Sequence, residues 1–228
     1  MGIRIPNING LLSLFLQSEC AICQRQTPEV LCGYCQRQLQ RCQLDKARQL
    51  WHCQLPVFAW GSYGGAVKTS LAVLKYDNKP QIAQPLGQWL GKAWLNSGLA
   101  GNTKLTVVPI PLHPNKQRQR GYNQAELLAE SFCQVTGLSL QRQGLERVRE
   151  TEAQFTLGAA GREKNLQSAF AVGKKLQKSR TAAPVLLLDD IYTTGATARA
   201  AASVLRQQGI TVYGLVAIAA SGQNLSPR

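Results

Sequence analysis

One stretch constrains this chain more than any other: Val185-Leu186-Leu187-Leu188-Asp189-Asp190-Ile191-Tyr192-Thr193-Thr194-Gly195-Ala196-Thr197. The apolar run behind Pro184 predicts a buried strand, and the periodicity of Thr197–Gln207, stopped by Gly209, predicts a helix. Between them lies a small hydroxylated turn containing Gly195 and Ala196. Such a unit carries Asp189 and Asp190 to the carboxyl edge of a sheet, where open α/β folds bind their ligands. Its turn lets backbone N–H groups approach an anion closely, and the helix N-terminus adds partial positive charge. Thr193, Thr194 and Thr197 supply hydroxyl donors.

Two carboxylates beside a phosphate site repel the ligand unless something separates them. A ribose does so: its hydroxyls donate to Asp189 and Asp190 while its 5′-phosphate lies on Thr193–Thr197. Mg²⁺ bridging the sugar hydroxyls and a pyrophosphate would neutralise the acids further. The turn lacks the Gly-Lys pair of a nucleotide-binding P-loop. The plainer alternative is a buried strand ending in a capped helix, which accounts for one carboxylate but poorly for the whole string.

Elsewhere the same α/β rhythm begins at Leu105. Thr106–Ile110 reads as a strand entering a proline-stiffened loop, Asn123–Cys133 as a helix with Gly137 as its stop, and Thr211–Ala219 as a second buried strand. Strands that are apolar throughout, alternating with helices, imply a mostly parallel sheet covered on both faces. Earlier, Gln81–Leu95 is helical in pattern, whereas Leu145–Lys164 is charged and weakly periodic, like a mobile loop or irregular hairpin. In the Arg120-Gly121-Tyr122-Asn123-Gln124 segment an arginine beside a glycine and two amides suits an oxyanion, although Asn123 also suits a helix cap. His113 reads either as a contact to pyrophosphate or, more plainly, as a surface loop residue with no role.

Six of the seven cysteines fall within Cys20–Cys53, which is clustering for a metal in a reducing compartment rather than spacing for disulfides. Cys20-x-x-Cys23 and Cys32-x-x-Cys35 are two knuckles able to close around one tetrahedral structural Zn²⁺; a redox pair would not need two copies. Leu11–Leu16 is too short for a membrane span and reads as a docked amphipathic helix. The expected organisation is a small helix-and-cysteine module over residues 1–55 and an α/β domain over 56–228, in the cytoplasm. A formal charge of +14, from 26 Lys+Arg against 12 Asp+Glu, favours polyanionic partners without naming them.

The strand–turn–helix string resembles the signature of type I phosphoribosyltransferases. Together with Val108-Pro109-Ile110-Pro111-Leu112, Arg120-Gly121-Tyr122-Asn123-Gln124, Arg147-x-Arg149-x-Thr151-x-x-Gln154 and Arg162-x-x-Asn165, it resembles one branch of them, the ComF family (the competence protein or amidophosphoribosyltransferase-like family). That resemblance implies a type I phosphoribosyltransferase fold with an N-terminal four-cysteine zinc ribbon. It places Pro111 and Leu112 in a pyrophosphate-side loop, and Arg147, Arg149, Gln154 and Arg162 in a loop that closes over the site. The implied chemistry is displacement of pyrophosphate at ribose C1 of phosphoribosyl pyrophosphate, with Asp189 and Asp190 at the ribose and an acceptor the sequence does not name. The family's link to competence implies a second class of reading: a catalytically inactive factor that meets single-stranded DNA or a helicase-type partner and uses the site for ligand sensing. Relatives often carry a second ribbon; here only Cys42 and Cys53, with His52, stand in its place, too few for a complete second site.

Overall fold

A computed structural model describes residues 18–44, 54–99, 101–149, 168–179 and 183–221. Leu11–Leu16, His52, Cys53, Thr151, Gln154, Arg162 and Asn165 lie outside them. The central sheet is built from β1 (Val57–Ser62), β2 (Thr106–Pro109), β3 (Ser139–Leu140), β6 (Val185–Tyr192) and β7 (Val212–Ala220), in the order β1-β7-β6-β2-β3. Every neighbouring pair in it is parallel. A separate antiparallel ribbon pairs β4 (Leu145–Arg147) with β5 (Phe170–Val172).

Alternation along the strands divides the core in two. Phe58, Trp60, Val107, Leu186, Leu188, Val216 and Ile218 face one side. There they meet α2 (Gly65–Tyr76), α3 (Ala83–Ser97) and α5 (Gln124–Thr136). Val57, Val108, Val185, Leu187, Leu215 and Ala217 face the other, against α7 (Ala196–Gln207), α6 (Lys174–Ser179) and the ribbon. This is the expected α/β class, a parallel sheet flanked by helices, and the buried apolar strands follow from having both faces covered.

Two details of packing position the site. Gly87 and Gly91 of α3 abut α5 so closely that a Cβ on Gly87 would lie 2.6 Å from the Leu128 carbonyl oxygen. The loop after β2 is clamped to the end of β6, because Ile110 N–H donates to the Leu188 carbonyl at 2.9 Å and Asn123 Nδ2 donates to the Ile110 carbonyl at 3.1 Å. Asn123 also caps α5, its Oδ1 accepting from Ala125 N–H at 3.1 Å, and Gly137 ends that helix in the left-handed region at φ +71°. Beyond the loop, a short helix α4 (Pro114–Arg120) starts with proline in its first turn, capped by His113, whose Nδ1 accepts from Asn115 N–H at 3.3 Å. The sequence alone does not show α4 or α2.

The cysteine module lies against the sheet. Its helix α1 (Gly33–Gln40) contributes Cys35 and Leu39 to the same buried cluster as Phe58 and Trp60, along with Cys20, Leu31 and Cys32. The following chain seals the edge of β1: Leu44 N–H donates to the Trp60 carbonyl at 2.9 Å and Ser62 N–H to the Cys42 carbonyl at 3.0 Å. Among the described residues, no helix is long and apolar enough to cross a membrane.

Candidate phosphoribosyl site and cysteine centre

Strand β6 runs straight into the turn Thr193–Gly195 and then α7. Gly195 is the helix N-cap and sits at φ +76°, a conformation that costs a residue with a Cβ but not glycine. A Cβ there would also meet the Tyr192 hydroxyl at 2.6 Å. Tyr192 packs against the core on the α7 side of the sheet, so its ring backs the turn from within. Outward, Thr193 and Thr194 are exposed. Arg199 draws the turn tight by donating from Nη1 to the Thr194 carbonyl at 2.8 Å. The pocket bounded by Asp189, Tyr192, Thr193, Gly195, Ala196 and Thr197 holds about 20 Å³, room for a water. The open side of the turn is therefore its exposed rim, not the space beneath it.

The two acids go to different places, because neighbours on a strand point to opposite faces. Asp189 lines the turn's pocket. Loss of solvation, and then the charge of Asp190, push its carboxyl well above the usual carboxylate range. Asp190 is 4% exposed and faces the helices on the other side. Its Oδ1 accepts from Gln124 Nε2 at 3.0 Å, and its Oδ2 lies 2.5 Å from the Lys75 ammonium in the last turn of α2. Each oxygen of Asp190 thus has a partner from the protein itself.

Gln124 in turn accepts from the Arg120 guanidinium, which lies 5.9 Å over the Tyr76 ring. The end of α2 and α4 together wall a cleft of about 630 Å³ lined by Lys75, Tyr76, Lys116, Arg118 and Arg120, among others. Lys75 and Tyr76 have no motif to announce them; only the fold brings Lys75 to Asp190 and the Tyr76 ring under Arg120. Of the other expected residues, Pro111 and Leu112 occupy the clamped loop beside β6, half-buried. Arg147 is elsewhere: it stacks on Phe170 across the ribbon at 5.5 Å, while Arg149 donates to Ser168 Oγ at 3.1 Å.

The four thiols of Cys20, Cys23, Cys32 and Cys35 lie within 4.8 Å of one another. Cys23 and Cys32 sulfurs are 3.6 Å apart, close to the roughly 3.8 Å edge of a tetrahedron with Zn–S bonds near 2.3 Å. Burial would raise the Cys20 pKa, but backbone N–H groups of Cys32, Cys23 and Ile22 outweigh it and lower the value to about 6. Burial and the neighbouring sulfurs raise Cys35 instead. A set in which one thiol ionises readily and another resists needs a cation to ionise fully, so these residues fit a closed zinc site. Cys42 stands apart, its sulfur donating to the Gln38 carbonyl at 3.5 Å.

No family model matches the sequence. The chain is 29% identical to Competence protein F of Haemophilus influenzae over 228 residues, covering 94% of this chain and 96% of that one. It is 26% identical to DNA utilization protein YhgH of Escherichia coli strain K12, over 83% of this chain and 85% of the relative. Competence protein ComFC of Bacillus subtilis is 28% identical over 65% of this chain and 57% of its own length. Among solved structures, glutamine phosphoribosylpyrophosphate amidotransferase from B. subtilis aligns at 17% identity with a TM-score of 0.37, over 60% of this chain and 26% of that one. Similarity to these competence and DNA utilization proteins, running nearly the whole length of Competence protein F, supports membership of the ComF family.

Proposed function

We propose that this chain is a phosphoribosyltransferase-like protein that binds phosphoribosyl pyrophosphate with Mg²⁺ and acts in natural competence and DNA use. One observation carries the reading: a single continuous β6–turn–α7 unit sets Asp189, the exposed threonines and the first turn of a helix around one point. The 5′-phosphate takes the hydroxyls of Thr193, Thr194 and Thr197 and the N–H groups at the start of α7. Asp189 accepts from a ribose hydroxyl, and the clamped loop at Pro111 and Leu112 faces the pyrophosphate. Arg120 and, outside the described residues, Arg162 are the cations assigned to the departing anion. Bound Mg²⁺ would supply charge neutralisation on the pyrophosphate. Displacement at C1 asks the protein for positioning and charge stabilisation rather than a covalent nucleophile, and none is assigned.

Titration calorimetry with phosphoribosyl pyrophosphate and Mg²⁺ tests this. Wild type is expected to bind, Asp189→Asn to bind about tenfold more weakly through loss of a charged hydrogen bond, and Gly195→Ala to lose binding as the turn is forced out of shape. Unchanged affinity in both variants sinks the assignment.

A second reading, a DNA-associated factor using the site as a sensor, is favoured by Tyr76. It is 77% exposed beside a basic cleft, the combination on which an unpaired base stacks. The names of the relatives point the same way. Single-stranded DNA titrated at two salt concentrations separates the readings: affinity that falls steeply with salt and weakens in Tyr76→Ala supports the second.

A further inference from the structure

Asp190 presents a problem of charge. A carboxylate 4% exposed is costly to keep ionised alone, and its field opposes any anion brought near it. Many phosphate-handling sites answer this with a divalent cation. Here the Lys75 ammonium is already at 2.5 Å from Oδ2 and the Gln124 amide at 3.0 Å from Oδ1. Lys75 also lines the cleft that holds Lys116, Arg118 and Arg120, with no acid among the residues lining it. A polar chain runs from Arg120 through Gln124 to Asp190 and Lys75, so an anion in the cleft meets the same network that holds the acid.

We propose that Lys75 does at Asp190 the work of a metal ion: it cancels the buried carboxylate, so that the adjoining basic cleft accepts a pyrophosphate-class anion without Mg²⁺. Lys75 is thus a positioning and charge-balancing residue, not one that touches the reacting carbon. The choice of anion rests on the phosphoribosyl reading; the charge argument does not. The pair Lys75–Asp190 is neutral in the wild type, carries one negative charge in Lys75→Gln, is neutral again in Lys75→Gln/Asp190→Asn, and carries one positive charge in Asp190→Asn. Affinity for an anion in the cleft follows that order of charge and not the order of structural disturbance.

The test is calorimetry of inorganic pyrophosphate with the whole protein, with and without Mg²⁺, alongside melting temperatures. Without Mg²⁺, wild type, Lys75→Arg and the double variant are expected to bind alike. Lys75→Gln should bind about tenfold more weakly and recover as Mg²⁺ is added, and Asp190→Asn should bind at least as tightly as wild type. A double variant as weak as Lys75→Gln overturns the proposal, since a packing defect does not cancel. So does Lys75→Gln binding like wild type, or a wild type that binds pyrophosphate only with Mg²⁺ or binds an oligonucleotide but no pyrophosphate. Should Lys75→Gln not fold, the double variant still decides: loss of its metal-free binding sinks the idea. A parallel titration with phosphoribosyl pyrophosphate keeps the two readings apart. A silent wild type there removes the phosphoribosyl assignment, whereas binding that Lys75→Gln leaves untouched removes only the role of Lys75.

Discussion

At the scale of single residues, the acid pair is one motif in sequence and two environments in space. Asp189 and Asp190 are legible as acids near a sheet edge because the apolar run before them must be a buried strand, which in the fold continues through them to Tyr192. Their separation follows equally from strand geometry, but their partners do not: Gln124 lies 66 positions from Asp190, and Lys75 further still. The raised pKa of Asp189, from burial and then from Asp190, has a consequence for stability. A carboxyl whose pKa is higher folded than unfolded favours the folded state at low pH. That contribution is full below the unfolded pKa and is lost as pH rises through the folded one. Asp189→Asn should therefore raise the melting temperature at pH 7, and the gain should vanish near pH 4. A thermal melt of both proteins at the two pH values checks this; equal melting temperatures at neutral pH would contradict it.

At the scale of elements, strands and capped helices are readable where pattern and punctuation agree. α5 is bounded by Asn123 and Gly137 for stated reasons of capping, and β6 and β7 are buried runs between breakers. The helix α2 starts behind Gly64 with no side-chain cap to announce it; its buried stripe Val67, Leu71 and Leu74 is stabilised by the sheet and not by propensity. α4 escapes because it buries nothing. The crossing of α3 on α5 depends on the absence of side chains at Gly87 and Gly91. Gly87→Ala should place a methyl 2.6 Å from the Leu128 carbonyl oxygen and 2.7 Å from Ser131 Cβ. The expected cost is about 1–3 kcal/mol of overpacking, read in a denaturant titration as a lower midpoint with unchanged slope. Because α5 carries Gln124, phosphoribosyl pyrophosphate affinity should fall with it.

At the scale of the molecule, the cysteine module and the α/β body share one core, so metal occupancy should be felt throughout. One zinc per chain is expected by elemental analysis. Its removal by a chelator should lower the melting temperature of the whole protein by about 10 °C rather than release a separate early transition. The +14 charge is likewise a property of the whole chain that becomes local only on folding, when Lys75 joins Lys116, Arg118 and Arg120 along one cleft.

By itself the sequence determined the local chemistry: an apolar strand running into paired acids, a small hydroxylated turn containing glycine, and thiols at metal spacing. Each is set by neighbours within a few residues, where chain geometry leaves little freedom. Tertiary structure alone decided which acid lines the turn's pocket and which is sealed by a lysine, and that scattered basic residues form a cleft. Those outcomes depend on which distant surfaces pack together, and no residue's immediate neighbours carry that information.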